Sequence, residues 1–368
     1  MSAGAGPLRI CFIGWADHVH LERWAGWFAR AGHKVDVLSV SGFGSYPRGV
    51  VGQHLLNPTG RGEWFARLRL RWLLARLRPQ VVHVHWAHFA TGVAAVWKGP
   101  FVVTAWGSDI YRRDKFSDSE WRALGVALRR ADSVTCDSDD LAAQLRVEFG
   151  LPAERVSVVQ WGVDTQTFFP AAASQDFLDE LGLDGKRVVF SARNFTPLYN
   201  QETVVRAFAK LLESRSDVVL LMKRYGGDPA YHDAIRALIS DLGITSSVRI
   251  CDSVPYERMP EFYRAASVTV SVPFSDATPM ALLEAMACGS IPVVSDLPSL
   301  REWIRDGENG RIVPVDDVGA LADAMDDALS NEALRLRASA SNLGFVTSTA
   351  SQDAHMNRMT DMLRGVVG

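Results

Sequence analysis

The sequence contains few cysteines, no long apolar run and no signal-peptide pattern. Of its 368 residues only four are cysteines, and these stand far apart in mostly apolar segments. That spacing fits neither a disulfide framework nor a metal site, so we expect buried thiols in a reducing compartment. No apolar run approaches the length of a membrane span, and the N-terminus lacks a signal-peptide pattern. We therefore expect a cytoplasmic protein.

Two common nucleotide-binding loops are also missing. No G-x-G-x-x-G follows the first predicted strand, and the sequence contains no Walker A motif. These absences argue against a dinucleotide-dependent dehydrogenase and against a P-loop enzyme. The sequence has no nucleic-acid recognition motif either, so we expect no nucleic-acid partner.

The net charge of −3 is small, but it is unevenly distributed. Residues 1–170 carry 20 Lys and Arg against 15 Asp and Glu, a net of +5, whereas residues 171–368 have a net of −8. The basic excess is concentrated in residues 61–115, where ten basic residues stand against three acids. A basic first half indicates an anionic partner or a surface that meets anionic lipid.

Short apolar runs alternate with helical patterns, and the alternation restarts after residues 170–176. This pattern predicts an α/β protein with parallel sheets covered by helices on both faces. We predict two Rossmann-like domains that face a cleft, spanning residues 1–170 and 171–349. A helix at about 350–368 is expected to pack back on the first domain. In such sheets, ligands bind at the carboxyl ends of the strands.

The most informative stretch is SDATPMALLEAMACGSIPVV, at residues 275–294. Here Thr278 is the predicted N-cap of a helix and Pro279 its first residue. The first N–H groups of that helix, those of Met280 and Ala281, would favour a bound anion.

Two carboxylates flank this predicted helix start. Asp276 lies in the loop just before the cap, and Glu284 lies one turn into the helix, on the same face as Met280. Together with the helix N-terminus they would suit a ligand that carries phosphate and hydroxyl groups. The alternative is a solvated capping acid and a surface glutamate.

Several segments resemble a retaining glycosyltransferase of the two-domain GT-B fold, in the large group 1 family (family four) that carries a Glu-x7-Glu signature. The resemblance spans nearly the whole chain. It rests on the segments HLERWAGWFARAGHKVDVLS, VVHVH, TAWGSD, VVQWGVDTQTFFP, VVFSAR and SDATPMALLEAMACGSIPVV, the last followed by DGENGRIV.

The resemblance implies a nucleotide-diphospho-sugar donor bound mainly by the second domain. Glu284 would accept from the ribose hydroxyls, Asp276 from the donor sugar, and Arg193 would stabilise charge on the leaving diphosphate. The alternative for Arg193 is a strand-end salt bridge only. Further donor contacts would come from Gly14, Lys223, Val254, Thr278, Pro279, Met280 and Ala281. It also implies retention of anomeric configuration without a protein nucleophile, a metal ion or another cofactor.

The acceptor, a small molecule or a glycan, is expected to bind the first domain. Its predicted contacts are His20, His85 and Trp106. Asp109 is predicted as a catalytic residue, with turn capping as the alternative. Because His88 does not share a strand face with His83 and His85, we do not predict a metal site there.

Four positions depart from the family pattern. Asp276 replaces a glutamate, Pro279 a glycine, Trp106 a histidine and Tyr199 a lysine. Lys223 could supply the positive charge of the family lysine that Tyr199 replaces. The alternative is that Lys223 is a solvated lysine at a strand end. We interpret the departures as those of an active subgroup. The alternatives are a GT-B-fold nucleotide-sugar epimerase and a non-catalytic binding protein whose departures mark lost activity.

Two further features have competing interpretations. The run Asp137-Ser138-Asp139 could bind a metal, but it opens a predicted helix, and we interpret it as a helix cap. The Arg-rich helix at 61–78 carries an apolar stripe, which consists of Trp64, Phe65, Leu68, Trp72 and Leu73. We expect this stripe to pack on the sheet. The alternative is a weak peripheral membrane contact that delivers a lipid-linked acceptor.

Overall fold

The computed structural model describes residues 6–46, 49–57, 62–224 and 226–368, and it divides the chain into two units. The first unit comprises the residues up to Trp161 together with Asp353–Gly368, and the second comprises Gly162–Gln352. The first unit thus ends before the predicted boundary at residue 170, and it includes nearly all of the last helix.

The first unit is built on a sheet whose described strands all pair in parallel, in the order β3-β2-β1-β4-β5-β6-β7. These strands are β1 Arg9–Gly14, β2 Lys34–Ser39, β3 Val51–Leu55, β4 Val81–His85, β5 Phe101–Thr104, β6 Ser133–Cys136 and β7 Val156–Val158. Its helices are α1 Val19–Arg30, α2 Glu63–Leu77, α3 Ala90–Val96, α4 Ser108–Tyr111, α5 Asp118–Arg130 and α6 Asp139–Phe149.

The second unit is a parallel sheet in the order β10-β9-β8-β11-β12-β13. Its described strands are β8 Arg187–Ser191, β9 Val218–Lys223, β10 Val248–Cys251, β11 Ala266–Ser271, β12 Ile291–Ser295 and β13 Arg311–Val313. Its helices are α7 Gln175–Leu181, α8 Gln201–Leu212, α9 Pro229–Asp241, α10 Met259–Ala265, α11 Met280–Cys288, α12 Pro298–Arg301, α13 Val318–Ser330 and α14 Glu332–Ala350.

The final helix, α15 Gln352–Val367, returns the chain to the first unit. Trp27 Nε1 donates to Oδ1 of Asp353 at 2.8 Å, and the backbone N–H of Gln160 donates to Nδ1 of His355 at 3.1 Å. Because Trp27 lies on α1 and Gln160 follows β7, these bonds tie the start of α15 to two separate parts of that unit.

The central strands are buried along their whole length, which is typical of parallel sheets. Every residue of β4, β5, β6 and β12 is buried, as expected for strands covered by helices on both faces. Short apolar runs rather than alternating patterns encode such strands. Along the described ranges, no helix combines the length and apolarity needed to cross a membrane.

The structure corrects the expected packing of α2. Its buried residues are Leu70, Leu73 and Leu74, so of the predicted stripe only Leu73 faces the protein. The exposed members of that stripe are Trp64, Phe65, Leu68 and Trp72. The expectation was wrong because α2 has apolar residues on two sides, and the leucine side is the one that packs.

Candidate functional site

The carboxyl ends of β8 and β11 bring Arg193 and Asp276 together. Arg193 Nη2 donates to Oδ2 of Asp276 at 2.6 Å, and the two side chains are only 11% and 16% exposed. The guanidinium also lies 4.1 Å from the ring centre of Tyr199. The two predicted donor ligands thus form an ion pair, and Tyr199, at the position of the missing lysine, stacks on the arginine.

The electrostatics of this pair favour a charged arginine. Burial raises the pKa of Asp276 above its usual value, although Arg193 opposes that rise. Burial also lowers the pKa of Arg193, but Asp276 and Tyr199 more than offset this effect, and the net pKa is raised. A permanently charged guanidinium is therefore held at the edge of the second sheet.

A buried glutamine fixes the loop that carries Arg193. Gln201, at the start of α8, is fully buried. Its Nε2 donates to the carbonyl of Arg193 at 2.7 Å, and its Oε1 accepts from Oγ of Ser191 at 3.0 Å. Because Ser191 ends β8, the loop backbone is held to the strand end.

Glu284 is buried against two tyrosines that the sequence did not single out. Its Oε1 accepts from the hydroxyl of Tyr256 at 2.6 Å, and its Oε2 accepts from the hydroxyl of Tyr263 at 3.0 Å. Tyr263 also lies near enough to Arg193 to raise the pKa of that guanidinium. Burial lowers the pKa of Lys223, and Glu284 opposes the shift. Of the predicted donor residues, Arg193 is thus paired with Asp276, and Glu284 is held by two tyrosine hydroxyls.

The start of α11 differs from its predicted form. The N-cap is Pro279, which makes no side-chain cap bond, and the helix begins at Met280. Thr278 is not the cap: its Oγ1 accepts from Nε1 of Trp303 at 3.2 Å. Helix geometry still leaves the N–H groups of Met280 and Ala281 without acceptors inside the helix.

A cavity of about 360 Å³ lies beyond β9 and β10, at the start of α9. Its lining comprises Arg224, Gly226, Gly227, Asp228, Pro229, His232, Asp252 and Ser253. Val254, a predicted donor contact, is half-buried and follows this lining directly in the chain. The cavity belongs wholly to the second unit and has a size typical of small-molecule sites.

At the carboxyl edge of the first sheet, aromatic rings and imidazoles form a contiguous group. The Trp106 ring lies 4.6 Å from His18, 5.6 Å from His20 and 5.3 Å from Trp161, between ring centres. His20 stacks on Trp161 at 4.5 Å. The structure thus brings together the predicted acceptor residues His20 and Trp106, both of which are half-buried.

His85 lies beneath this group rather than on its surface. It has no exposed area, so the predicted acceptor contact is not available to it in this structure. Burial lowers its pKa well below the usual value and lowers that of His83 to about 3. Both imidazoles are therefore neutral at pH 7. A Cβ on Gly14 would lie 3.2 Å from that of His85, which shows how closely β1 approaches β4.

Asp109 joins two loops of the first unit. Its Oδ2 accepts from the N–H of Ala87 at 2.7 Å, and its Oδ1 accepts from the N–H of Trp106 at 2.9 Å. The residue has no exposed area, and burial raises its pKa to about 6 despite these bonds. The turn-capping alternative accounts for Asp109, because a carboxylate so enclosed does not meet a substrate in this structure.

Asp109→Ala should destabilise the protein by about 2–5 kcal/mol, because it leaves the buried N–H of Ala87 and the half-buried N–H of Trp106 without their acceptors. Urea unfolding at pH 7.5 would measure the change. Asp114→Ala is the matched control, since Asp114 pairs with Arg112 at an exposed position and its loss should leave the stability nearly unchanged. Equal stabilities for the two variants would contradict the capping role.

The run Asp137-Ser138-Asp139 caps α6, as interpreted from the sequence. Oγ of Ser138 accepts from the N–H of Leu141 at 3.2 Å, and Oδ2 of Asp137 accepts from Nε1 of Trp161 at 3.2 Å. In the ranges that the structure describes, no group of three or more His, Cys, Asp or Glu side chains is arranged to hold a metal ion.

Comparison with known proteins identifies the family. The model "Glycosyltransferase Family 4" matches residues 18–167, and "Glycosyl transferases group 1" matches residues 174–342. A D-inositol 3-phosphate glycosyltransferase of Frankia alni is 30% identical over 282 residues, which are 72% of this chain and 69% of that protein. The protein of the same name from Acidothermus cellulolyticus is 32% identical over 228 residues, 58% of this chain. The chain spans only 50% of the length of the latter relative.

Solved structures confirm the predicted GT-B fold. Anabaena HepE, in complex with UDP and glucose, superposes with a TM-score of 0.84 at 15% identity, covering 97% of this chain and 100% of that one. Sucrose-phosphate synthase from Thermosynechococcus elongatus gives a TM-score of 0.84 at 18% identity, covering 97% and 98%. With its fold and both family models in agreement, the chain belongs to the group 1 glycosyl transferases of family four.

Proposed function

We propose that this protein transfers a sugar from a nucleotide-diphospho-sugar to an acceptor hydroxyl, with retention of anomeric configuration and without a metal ion. The observation that carries the proposal is the largely buried pair of Arg193 and Asp276 in the second unit. In the same unit, Glu284 accepts from two tyrosines. UDP and UDP-glucose bound to HepE support this donor class, and the names of the relatives support glycosyl transfer.

The diphosphate is assigned to Arg193 and to the start of α11. A charged, planar guanidinium binds phosphate oxygens through paired N–H groups. The N–H groups of Met280 and Ala281 add a second set of donors for an anion. Pro279 has no N–H, so the helix start offers one donor fewer than a glycine at that position would. We also assign Lys223, at the end of β9, to the donor.

The nucleoside is assigned to Glu284 and to the cavity beside Val254. A carboxylate accepts up to about four hydrogen bonds, so two ribose hydroxyls are compatible with the tyrosine contacts of Glu284. The cavity of about 360 Å³ can hold a planar base. Glycines 226 and 227 in its lining permit close approach of a ring to the backbone.

The chemistry follows from where charge develops. As the bond between the sugar and the diphosphate breaks, negative charge grows on the diphosphate, and Arg193 stabilises it. A diphosphate oxygen then takes the proton of the acceptor hydroxyl, which attacks the same face of the sugar. Asp276 is engaged by Arg193 and is assigned to orienting the donor sugar rather than to attacking it.

The acceptor is assigned to the aromatic group of the first unit. Trp106 and His20 offer ring faces on which the apolar face of a sugar can stack, in the manner of indoles in other binding sites. The relatives are named for D-inositol 3-phosphate, a polyhydroxylated ring, and we infer an acceptor of that general type, a small molecule or a glycan.

A thermal-shift panel of UDP-, GDP- and dTDP-sugars tests the donor assignment. One nucleotide series should raise the melting temperature, since ligand at about 100 times its Kd stabilises the folded state by about 2.7 kcal/mol. Transfer is then followed as release of the nucleoside diphosphate in the presence of candidate acceptors. Binding without release would favour the non-catalytic alternative, and an altered sugar nucleotide would favour the epimerase.

The proposed transfer should not depend on a metal ion, because Arg193 and the helix N-terminus neutralise the diphosphate. Activity should therefore persist in excess EDTA, measured as nucleoside diphosphate release after dialysis. Asp139→Asn should leave the EDTA response unchanged, since the Asp137-Ser138-Asp139 run caps α6. Activity that EDTA abolishes and Mn²⁺ or Mg²⁺ restores would contradict the proposal.

A further inference from the structure

The outward side of α2 is an unusually apolar surface for a helix. Its exposed residues include Trp64, Phe65, Leu68 and Trp72, which are 65%, 49%, 47% and 55% exposed. Trp64, Leu68 and Trp72 recur every fourth residue, so they share one side of the helix. Soluble surfaces carry single exposed apolar residues, but a row of large rings on one side marks a contact surface. We refer to this side of α2 as the indole face.

Arginines border the indole face. Arg67, Arg71 and Arg76 are exposed on the same helix, and Arg76 lies 5.7 Å from the ring centre of Trp72. Glu63 is the one acid of α2, and it pairs with Arg67 at 3.4 Å in open solvent. The face therefore combines large apolar rings with a clear positive excess.

The helix is firmly anchored behind this face. Leu70, Leu73 and Leu74 are buried beneath it. Arg69 points away from the arginine border and donates from Nε to the carbonyl of Leu55 at 2.6 Å, at the end of β3. The indole face is thus presented by a helix that is already folded and fixed, so binding would not require the helix to form.

The chemistry of the face selects among possible partners. A second copy of the same face would bring arginines against arginines, which is unfavourable. A bilayer with anionic headgroups complements both the apolar rings and the arginines of this face. Indole rings favour the boundary between headgroups and acyl chains, and guanidinium groups bind lipid phosphates.

We propose that the indole face of α2 docks this protein on the anionic surface of a lipid bilayer. The rings enter the interfacial layer, the arginines contact phosphate groups, and the helix lies in the plane of the surface. This inference does not rest on the proposed sugar transfer, because it concerns a different surface and is tested without any substrate.

Vesicle sedimentation tests the docking directly. The full-length protein is mixed with phosphatidylcholine vesicles, with or without phosphatidylglycerol, at low salt. The wild type should pellet with the anionic vesicles and remain largely in solution with the neutral ones. Raising the salt to 0.5 M should release it in part, because the screening length is about 10 Å at 0.1 M and shortens toward about 3 Å at 1 M, which weakens the attraction between arginines and lipid phosphates.

Two sets of variants separate the rings from the charges. Arg67→Gln/Arg71→Gln/Arg76→Gln should lower the vesicle partition coefficient by about fivefold for each arginine. Trp64→Ser/Trp72→Ser should lower binding even at low salt, where electrostatic attraction persists. The matched control is Arg122→Gln/Val147→Ser, which removes one exposed arginine and one exposed valine from α5 and α6 of the same unit. It should bind like the wild type.

Three results would overturn the inference. The first is a wild-type protein that stays in the supernatant with anionic vesicles at low salt. The second is equal binding by the wild type and by both variants. The third is a dimer, seen by sedimentation velocity without lipid, that the tryptophan variant abolishes, because the face would then be an interface between copies. Unchanged melting temperatures of the variants exclude misfolding as the cause of any loss.

Discussion

Arg193→Ala should lower the turnover number by about 10²- to 10³-fold, while the Kd of the donor rises much less. The reason is that negative charge on the diphosphate grows as the sugar departs, so the guanidinium contributes more to the transition state than to the bound ground state. Steady-state release of nucleoside diphosphate gives the turnover number, and calorimetry with the intact donor gives the Kd.

Matched variants identify what Arg193 contributes. Arg193→Lys keeps the charge but loses the planar fork, and it should retain part of the activity. Tyr199→Phe keeps the ring on which the guanidinium stacks, whereas Tyr199→Leu removes it. Only the leucine variant should therefore show a turnover number as low as those of the Arg193 variants. Wild-type turnover in Arg193→Ala would show that this residue serves only its ion pair with Asp276.

Lys223→Ala separates two interpretations of the missing family lysine. A loss of turnover that resembles that of Arg193→Ala would assign Lys223 to the diphosphate. A loss of donor affinity alone would instead fit its electrostatic interaction with Glu284. Wild-type kinetics would leave Tyr199 as the residue that compensates for the substitution.

Glu284→Gln should raise the Kd of the donor about tenfold or more. A hydrogen bond to a charged acceptor contributes about 1.5–3 kcal/mol, and the amide replaces one acceptor oxygen by a donor. Calorimetry with the nucleotide sugar that gives the largest thermal shift measures the effect. Tyr256→Phe, which keeps the carboxylate, should have a smaller effect.

Two checks accompany this prediction. Glu332→Gln makes the same chemical change at an exposed position in the first turn of α14, and it should leave the Kd unchanged. The melting temperature of Glu284→Gln shows whether loss of the tyrosine contacts has disturbed the fold. An unchanged Kd in a folded Glu284→Gln protein would remove Glu284 from the nucleoside contacts.

The sequence predicted most strands and helices because the central strands are continuous apolar runs between helical patterns. α6, Asp139–Phe149, begins at the predicted cap Asp137-Ser138-Asp139. β3, with the sequence VGQHL, was not expected, because it is an edge strand with a glycine and two polar residues and contains no apolar run. Edge strands pair on one side only and need less apolar character.

The sequence pattern around a residue gave the wrong role where contacts with residues far away in the chain determine that role. Thr278 has the sequence context of an N-cap, but its hydroxyl accepts from Trp303, 25 positions later in the chain. His85 lies at a strand end, where ligands commonly bind, yet the rings of Trp106 and Trp161 lie within about 6 Å and it has no exposed area. Neither contact is encoded in the neighbouring residues.

The candidate site was predicted in part. The resemblance gave Arg193, Asp276 and Glu284, of which the first two form an ion pair and the third is held by two tyrosines. It gave neither of the tyrosines that donate to Glu284, although Tyr256 follows the predicted donor contact Val254 by two residues. The α2 spacing could not decide which apolar side packs, because both sides recur at helical intervals.

Hydrogen–deuterium exchange with a bound nucleotide sugar tests the central claim most directly, because it locates the donor without a mutation. The account predicts slower exchange in the second unit, in the loop after β8 that carries Arg193, at the start of α11 and around Val254. Control samples with the free sugar alone should show none of this protection. Protection confined to the first unit, or none at saturating donor, would contradict the assignment of the donor site.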